Sequence, residues 1–429
     1  MTIKHVASCE GKCWQEESVT LANDFSDSLE LTGVKKQRVL GFGGCFNELG
    51  WEALQLADKE AREEFLKQLF SKEECNFNYG RVPIGANDFS LEWYSCDEMD
   101  SDYELEHFNI ERDKQYTLPF VREALKYQED FPLFASPWSP PTWMKTKKVC
   151  NYGTMRMEDK ILKAYAQYFI KFVRAYESEG IKVAQIHVQN EPVADQKFPS
   201  CVWTADELRI FIRDYLGPAL KESGLNTELW LGTINTQVMD YVNTVLADEE
   251  ARAYLTGVGL QWAGKYAIEQ VEESYPELRL MQTECECGEG QNTWSYMEYA
   301  FNLMKIYFSH GAERFTYWNM ALQDGGISTW GWRQNSLCTV DPKTGELKYQ
   351  PEFYLMKHFS HFVKAGAQVL GVKGHWSANS LAFENPDGTI VLVVNNSLDY
   401  DRSFGFTYGE KTFSVKLKAH SLHTFEISD

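Results

Sequence analysis

Eight short apolar runs recur through most of this chain, and helical patterns fill most of the gaps between them. The runs lie at 39–43, 77–83, 133–136, 181–188, 229–233, 257–261, 278–284 and 314–318. Each is short enough for a strand and too short for a typical helix. The clearest helix is predicted over 159–179. There Ile161, Leu162, Tyr165, Phe169, Phe172, Val173 and Tyr176 fall on one stripe, and Gly180 follows as a stop. Further helices are predicted over 205–222 and 293–308. Strands that read as apolar on both faces need helices around them. Eight strand–helix units therefore predict an α/β fold, a (β/α)8 TIM barrel, with a doubly wound open sheet as the main rival. The length of 429 residues leaves room for a smaller second unit.

The pattern changes near residue 363. Segments 369–372, 380–383, 389–394, 403–408, 412–417 and 422–427 alternate like strands, and Pro386-Asp387-Gly388 reads as a hairpin turn. Helical periodicity is absent there, which predicts an all-β module. The first 35 residues also lack a helical pattern, and 18–21 and 28–31 look strand-like. The expected organisation is N-terminal strands over 1–35, a catalytic barrel over 36–362, and a side β-sandwich formed by 363–429 with the N-terminal strands, since chain ends often lie close together.

A net charge of −20 argues against nucleic acid or an anionic membrane as partner. No apolar run approaches the ~18 residues of a transmembrane helix. The start, Met1-Thr2-Ile3-Lys4-His5, has no hydrophobic signal segment, so a cytoplasmic location is expected. In that compartment the ten cysteines are expected as free thiols. The pairs Cys9/Cys13 and Cys285/Cys287 lack a second pair at zinc-like spacing, so no metal is expected. Nothing in the pattern fixes an oligomeric state.

Two glutamates stand out against this frame. Glu191, within Asn190-Glu191-Pro192, follows the apolar run of the fourth strand, and Glu284 ends that of the seventh. Barrel enzymes draw their catalytic groups from the C-terminal ends of strands. Two carboxyl groups placed so are the minimal kit for cleaving a glycosidic bond. Glu286 and Glu289 compete with Glu284. Glu284 is preferred because it directly ends the run, with Glu286 the main alternative.

Several motifs, in order along the chain, carry a resemblance. They are Gly41-Phe42-Gly43-Gly44-Cys45-Phe46-Asn47-Glu48, Arg81-Val82-Pro83-Ile84 with Asp88-Phe89-Ser90, and Ser136-Pro137-Trp138-Ser139-Pro140-Pro141-Thr142-Trp143. Asn190-Glu191-Pro192, Leu216-Gly217-Pro218, Thr283-Glu284, Trp318-Asn319-Met320-Ala321-Leu322 and Phe353-Tyr354 with His358-Phe359-Ser360 complete the set. Together the chain resembles glycoside hydrolase family 30, in the branch that contains lysosomal glucosylceramidase. The resemblance implies a (β/α)8 barrel with a side β-sandwich and a double-displacement mechanism that retains anomeric configuration, with no cofactor. It implies Glu191 as general acid/base and Glu284 as nucleophile. Asn190 would contact the 2-hydroxyl of the sugar, and Arg81 would lie under the nucleophile and keep it ionised. Asp88 and Trp138 would grip outer hydroxyls, Trp318 would form an aromatic wall, and Trp262 would belong to the same substrate-binding set.

The chain also departs from that pattern. Where glucosylceramidases end the sixth strand in His-Trp-Tyr, this chain has Gln261-Trp262-Ala263, so the tyrosine that would hydrogen-bond the nucleophile is missing. Lys265 or Tyr266 is the expected substitute. Tyr317 replaces an aspartate, and the loop from Gln323 to Asn335, with Trp330, Trp332 and Arg333, follows its own course. The expected activity is exo-cleavage of a β-linked glucose from a β-linked glycoside or oligosaccharide. β-Xylosidase, β-fucosidase and endo-β-1,6-glucanase are alternatives within the family, and a non-catalytic carbohydrate-binding protein is the alternative from another class. The two carboxyl groups are expected roughly 5 Å apart, with the Glu191 pKa raised by the charge of Glu284.

Overall fold

In a computed structural model, which describes residues 2–21, 27–409 and 411–428, eight parallel strands curl until the last pairs with the first. They are Gly41–Cys45, Tyr79–Ile84, Leu133–Pro137, Val183–His187, Glu228–Ile234, Leu255–Gln261, Arg279–Glu284 and Arg314–Asn319. Pairing of Arg314–Asn319 with Gly41–Cys45 excludes the open sheet and gives the barrel. Helices cover its outside. In Asp159–Ser178 every residue of the predicted stripe is buried against the barrel. Each such side chain contributes about 1.5–3 kcal/mol by leaving water. The predicted helix over 205–222 is broken by a wider π turn, Ile212–Leu216. The break lies immediately before Gly217-Pro218, where proline has no N–H to offer the helical ladder.

The barrel interior is filled, not hollow. Tyr79, Phe134, Trp230 and Met281 form one buried cluster across it, and His187 stacks on Trp230 at 5.4 Å. Two glycines make room for that imidazole. A Cβ on Gly232 would lie 2.4 Å from His187 Nδ1, and one on Gly259 would lie 2.6 Å from the same ring. This plug holds up the catalytic end above it.

One difference at the first strand has a clear cause. The sequence places a strand over 39–43, but Val39 ends a different element, Ser28–Val39, and the barrel strand starts at Gly41. Ser28–Val39 pairs antiparallel with Ala367–Gly374, so the apolar run is shared between two sheets. Among the described residues, the second sheet has ten strands and mixes both chain ends. Thr2–Cys9 runs antiparallel to Ser421–Ser428 along its whole length and also pairs with Lys12–Glu17. Its inner face buries Leu29, Trp376, Phe404, Phe406, Phe413 and Phe425. On the other face Leu381, Phe383, Val391 and Val393 join the barrel's own core. Successive residues of a strand point to opposite faces, so 380–384 and 390–396 serve both cores at once. Among the described residues, no helix is long and apolar enough to cross a membrane.

Candidate active site

Barrel strands two to seven converge at their C-terminal ends on a buried polar network, and Arg81 is its hub. The guanidinium is fully buried. Its Nη1 donates to Glu284 Oε2 at 2.7 Å and to the Thr283 carbonyl at 3.2 Å. Its Nη2 donates to Ser136 Oγ at 2.9 Å and to Asn190 Oδ1 at 2.6 Å. The guanidinium carbon lies 4.5 Å from the ring centre of Trp138 and 5.3 Å from that of Trp318. A buried charge held by a carboxylate, three neutral acceptors and two aromatic faces is positioned, not merely present.

Glu284 collects three donors. Besides Arg81, the Gln261 amide donates to Oε2 at 3.1 Å and the Trp262 indole N–H donates to Oε1 at 3.0 Å. The expected substitutes for the missing tyrosine do not reach it. Lys265 pairs with Glu286 at 2.5 Å, and Tyr266 is exposed. Tyr299 also donates to Glu286 at 2.6 Å, so both oxygens of the rival carboxylate are already engaged.

Gln261 ties the two candidate glutamates together. The same amide nitrogen that reaches Glu284 lies 3.1 Å from Glu191 Oε1. Thr283 Oγ1 donates to the amide oxygen at 2.9 Å and so fixes which end of the amide faces the carboxyl groups. Because one nitrogen touches both, the nearest oxygens of Glu191 and Glu284 cannot be farther apart than twice that contact. Burial pushes the Glu191 pKa up to about 8, and the Glu284 charge adds to the rise, while the Gln261 hydrogen bond and Arg81 oppose it. The sequence expectation gave the Glu284 charge as the cause; desolvation is the larger one. The two carboxyl groups thus sit in unlike surroundings, one rich in donors and one poor.

Backbone strain marks the same place. Glu191 and Trp262 both adopt left-handed conformations, each with φ of 48°, at a cost of about 1–3 kcal/mol apiece for non-glycine residues. The turn at Glu191 is held by its N–H on the Thr233 carbonyl at 3.1 Å.

A cavity of about 470 Å³ opens over this network, and Asp88, Trp138, Asn190, Glu191, Trp262 and Glu284 line it. Asp88 is buried with Oδ1 unpartnered, and burial, then the charges of Glu284 and Glu191, push its pKa well up. Two expected site residues do not line the cavity. Arg81 lies beneath it and acts through Glu284 and Asn190. Trp318, expected as a wall, is fully buried one layer back, stacked on Trp138 at 5.2 Å. Gln261, Thr283 and Trp332 were named in the sequence without an expected role at the site, and Phe198, which also lines the cavity, was not named there. Gln261 sits in register opposite Glu284, and of that placement the sequence offers only the position at a strand end.

Comparison with known proteins bears on the family and the fold. The glycosyl hydrolase family 30 TIM-barrel domain matches residues 39–363, and the family 30 beta sandwich domain matches residues 366–425. The lysosomal acid glucosylceramidase of Mus musculus is 28% identical over 420 residues, covering 91% of this chain and 81% of that protein. The endo-1,6-beta-D-glucanase of Neurospora crassa is 28% identical over 388 residues, covering 84% and 79%. The crystal structure of SrfJ from Salmonella typhimurium superposes with a TM-score of 0.91 at 26% identity over all of both chains. A barrel and side sheet matched along almost their full length identify the chain as a glycoside hydrolase belonging to glycosyl hydrolase family 30.

Proposed function

We propose that the protein is a retaining, exo-acting β-glycosidase that removes a β-linked glucose by double displacement, with Glu284 as nucleophile and Glu191 as general acid/base. The observation that carries this reading is the shared Gln261 nitrogen, 3.1 Å from an oxygen of each glutamate. One nitrogen in contact with both carboxyl groups favours the ~5 Å spacing of retaining pairs over the ~6.5 Å or more of inverting pairs, which must leave room for a water. The gap suits direct capture of the anomeric carbon.

In the first step Glu191 enters protonated, as its raised pKa favours near neutrality. It gives its proton to the leaving oxygen while Glu284 attacks the anomeric carbon and forms a glycosyl ester. Arg81 and the Trp262 indole hold the attacking carboxylate in line. With Glu284 esterified, its charge is gone, and Glu191 turns base and takes a proton from the incoming water, whose oxygen bonds to the anomeric carbon as the ester bond breaks and Glu284 leaves as a carboxylate. Asn190 has its amide oxygen filled by Arg81 and by Thr233 Oγ1 at 3.0 Å, which directs its NH2 toward a ligand hydroxyl. The unpartnered Asp88 oxygen supplies an acceptor for an outer hydroxyl of the sugar. The relatives named for glucosylceramidase and β-1,6-glucanase activity support β-glucose as the sugar cleaved.

A 2-fluoro-β-glucoside with a reactive leaving group, followed by peptide mapping, tests the assignment. The label is expected on Glu284. A label on Glu286, or product released with inverted configuration, would falsify it.

A further inference from the structure

The catalytic cavity does not end at its own rim. A second cavity of about 770 Å³ adjoins it, and Trp262 and Trp332 stand in the walls of both. The second is lined further by Glu289, Gln291, Tyr296 and Arg333. Resting on the catalytic reading above, we propose that this chamber is a subsite for a saccharide leaving group, so that the preferred substrate is a β-glucosyl saccharide and not a glucoside with an apolar aglycone.

Position comes first. Asp88 and Trp138 belong to the catalytic cavity alone, whereas Trp262 and Trp332 are common to both chambers. A glucose gripped at Asp88 and Trp138 and attacked by Glu284 therefore has its leaving group directed past the shared tryptophans. Trp262 is fixed there by its own hydrogen bond to Glu284, so the passage begins at the reacting atoms.

The chemistry of the walls decides what fits. Sugar rings present apolar C–H faces and a belt of hydroxyls. Tyr296 and Trp332 offer aromatic rings for the faces. Arg333, Glu289 and Gln291 offer planar donors and acceptors for the belt. Among the described residues, no side-chain hydrogen bond engages Glu289 or Gln291, while Arg333 is oriented by a single bond from Nη1 to the Gly325 carbonyl at 2.9 Å. An acyl chain laid against the same walls would strip water from these groups and return no partner.

The chamber is built before any ligand arrives. Asn335 spans its two loops. Its N–H donates to the Cys287 carbonyl at 2.5 Å, and its Oδ1 accepts from Asn292 N–H at 3.1 Å. Its Nδ2 donates to the buried Glu352 at 2.6 Å. Gly290 has φ of 80°, and a Cβ there would lie 2.7 Å from the Gly325 carbonyl, so the two loops meet backbone to backbone. One wall is the 323–335 loop, the segment that follows its own course in this chain.

The test compares wild type with Arg333→Ala and Gln291→Ala on three substrates: a panel of β-linked glucobioses and glucotrioses, 4-nitrophenyl β-glucoside, and glucosylceramide in detergent micelles. Wild type is expected to prefer a glucose oligomer over glucosylceramide. Each variant is expected to lose about ten-fold in kcat/KM on that oligomer, chiefly through KM, and to stay within about two-fold on the aryl glucoside. Equal losses on oligomer and aryl glucoside, unchanged oligomer turnover in both variants, or a wild-type preference for glucosylceramide would each overturn the subsite while leaving the catalytic pair standing. Absence of wild-type turnover on every substrate would overturn the catalytic reading and the subsite with it.

Discussion

A carboxamide carries two N–H bonds and no charge, which suits Gln261 to its place between Glu191 and Glu284. In the proposed double displacement the negative charge leaves one glutamate and settles on the other. A neutral donor within reach of both can serve either state, whereas a lysine there would favour full ionisation of the pair. The hydrogen bond from Gln261 opposes the raised pKa of Glu191, because donation to a carboxylate stabilises its charged form. Replacing Gln261 with Met removes that opposition, so the Glu191 pKa is expected to move further above about 8. The acid form then survives to higher pH, and the basic limb of kcat/KM should shift upward. The same change loosens Glu284, and kcat/KM at the optimum should fall by about 10- to 100-fold, the usual scale for a hydrogen bond to a charged group. Gln261→His, which keeps a donor, should recover part of both effects. A pH–rate profile with an unmoved basic limb would remove Gln261 from this role. None of this was readable in one dimension. Glu191 and Glu284 announce themselves as acids ending apolar runs, but an amide at a strand end carries no comparable signal until strand register sets it between them. Trp318 shows the converse. A tryptophan at a strand end reads as a wall, yet its ring sits behind Trp138 and serves Arg81.

Elements meet less regularly than residues suggest, and the seam between the seventh and eighth barrel strands is the clearest instance. Arg279–Glu284 and Arg314–Asn319 share few ladder bonds: Glu313 N–H to the Leu280 carbonyl at 2.9 Å, and Cys285 N–H to the Thr316 carbonyl at 2.9 Å. Between them the Gln282 side chain takes over, its Oε1 accepting from Thr316 N–H at 2.6 Å. The barrel is therefore closed in part by a side chain on the strand that presents Glu284. Gln282→Leu would leave the buried Thr316 N–H without an acceptor, at a cost of about 1–3 kcal/mol. A lower urea midpoint with an unshifted pH–rate profile is expected; an unchanged midpoint would show that the seam closes without Gln282. Seven of the barrel strands were legible as both-faces-buried runs, and the first was read two residues early because its apolar run continues from Ser28–Val39. The strands Thr2–Cys9 and Lys12–Glu17 were not legible. Their residues mix polar and apolar types, and Lys12–Glu17 is largely exposed at the edge of its sheet, so no buried face imprints a period on it.

On the scale of the whole molecule, that unread hairpin joins the beginning of the chain to its end and both to the barrel. Thr2–Cys9 supplies the only strand between Ser421–Ser428 and the hairpin edge, in the order found among the described residues. Val6 is buried in the barrel's core cluster. Ser8 Oγ lies 2.8 Å from His358 Nε2, on Pro351–Ser360, the last helix of the barrel. Trp14 packs edge-on against His358 and His361 and stacks on Phe362 at 5.7 Å. Deleting residues 1–17 would therefore do two things at once. It would strip the apolar cover from that helix, and it would leave Ser421–Ser428 as a long edge with an unpaired row of backbone donors and acceptors, a surface that invites pairing with another chain. The proposed catalytic pair, Glu191 and Glu284, lies outside the deleted segment, so molecules that fold should keep the expected label on Glu284 and the pH–rate profile of the intact protein. Size-exclusion chromatography across a concentration series should show self-association absent from the full chain, together with a lower urea midpoint. A truncated protein that elutes and unfolds like the intact one would mean that the terminal hairpin decorates the fold and does not hold it.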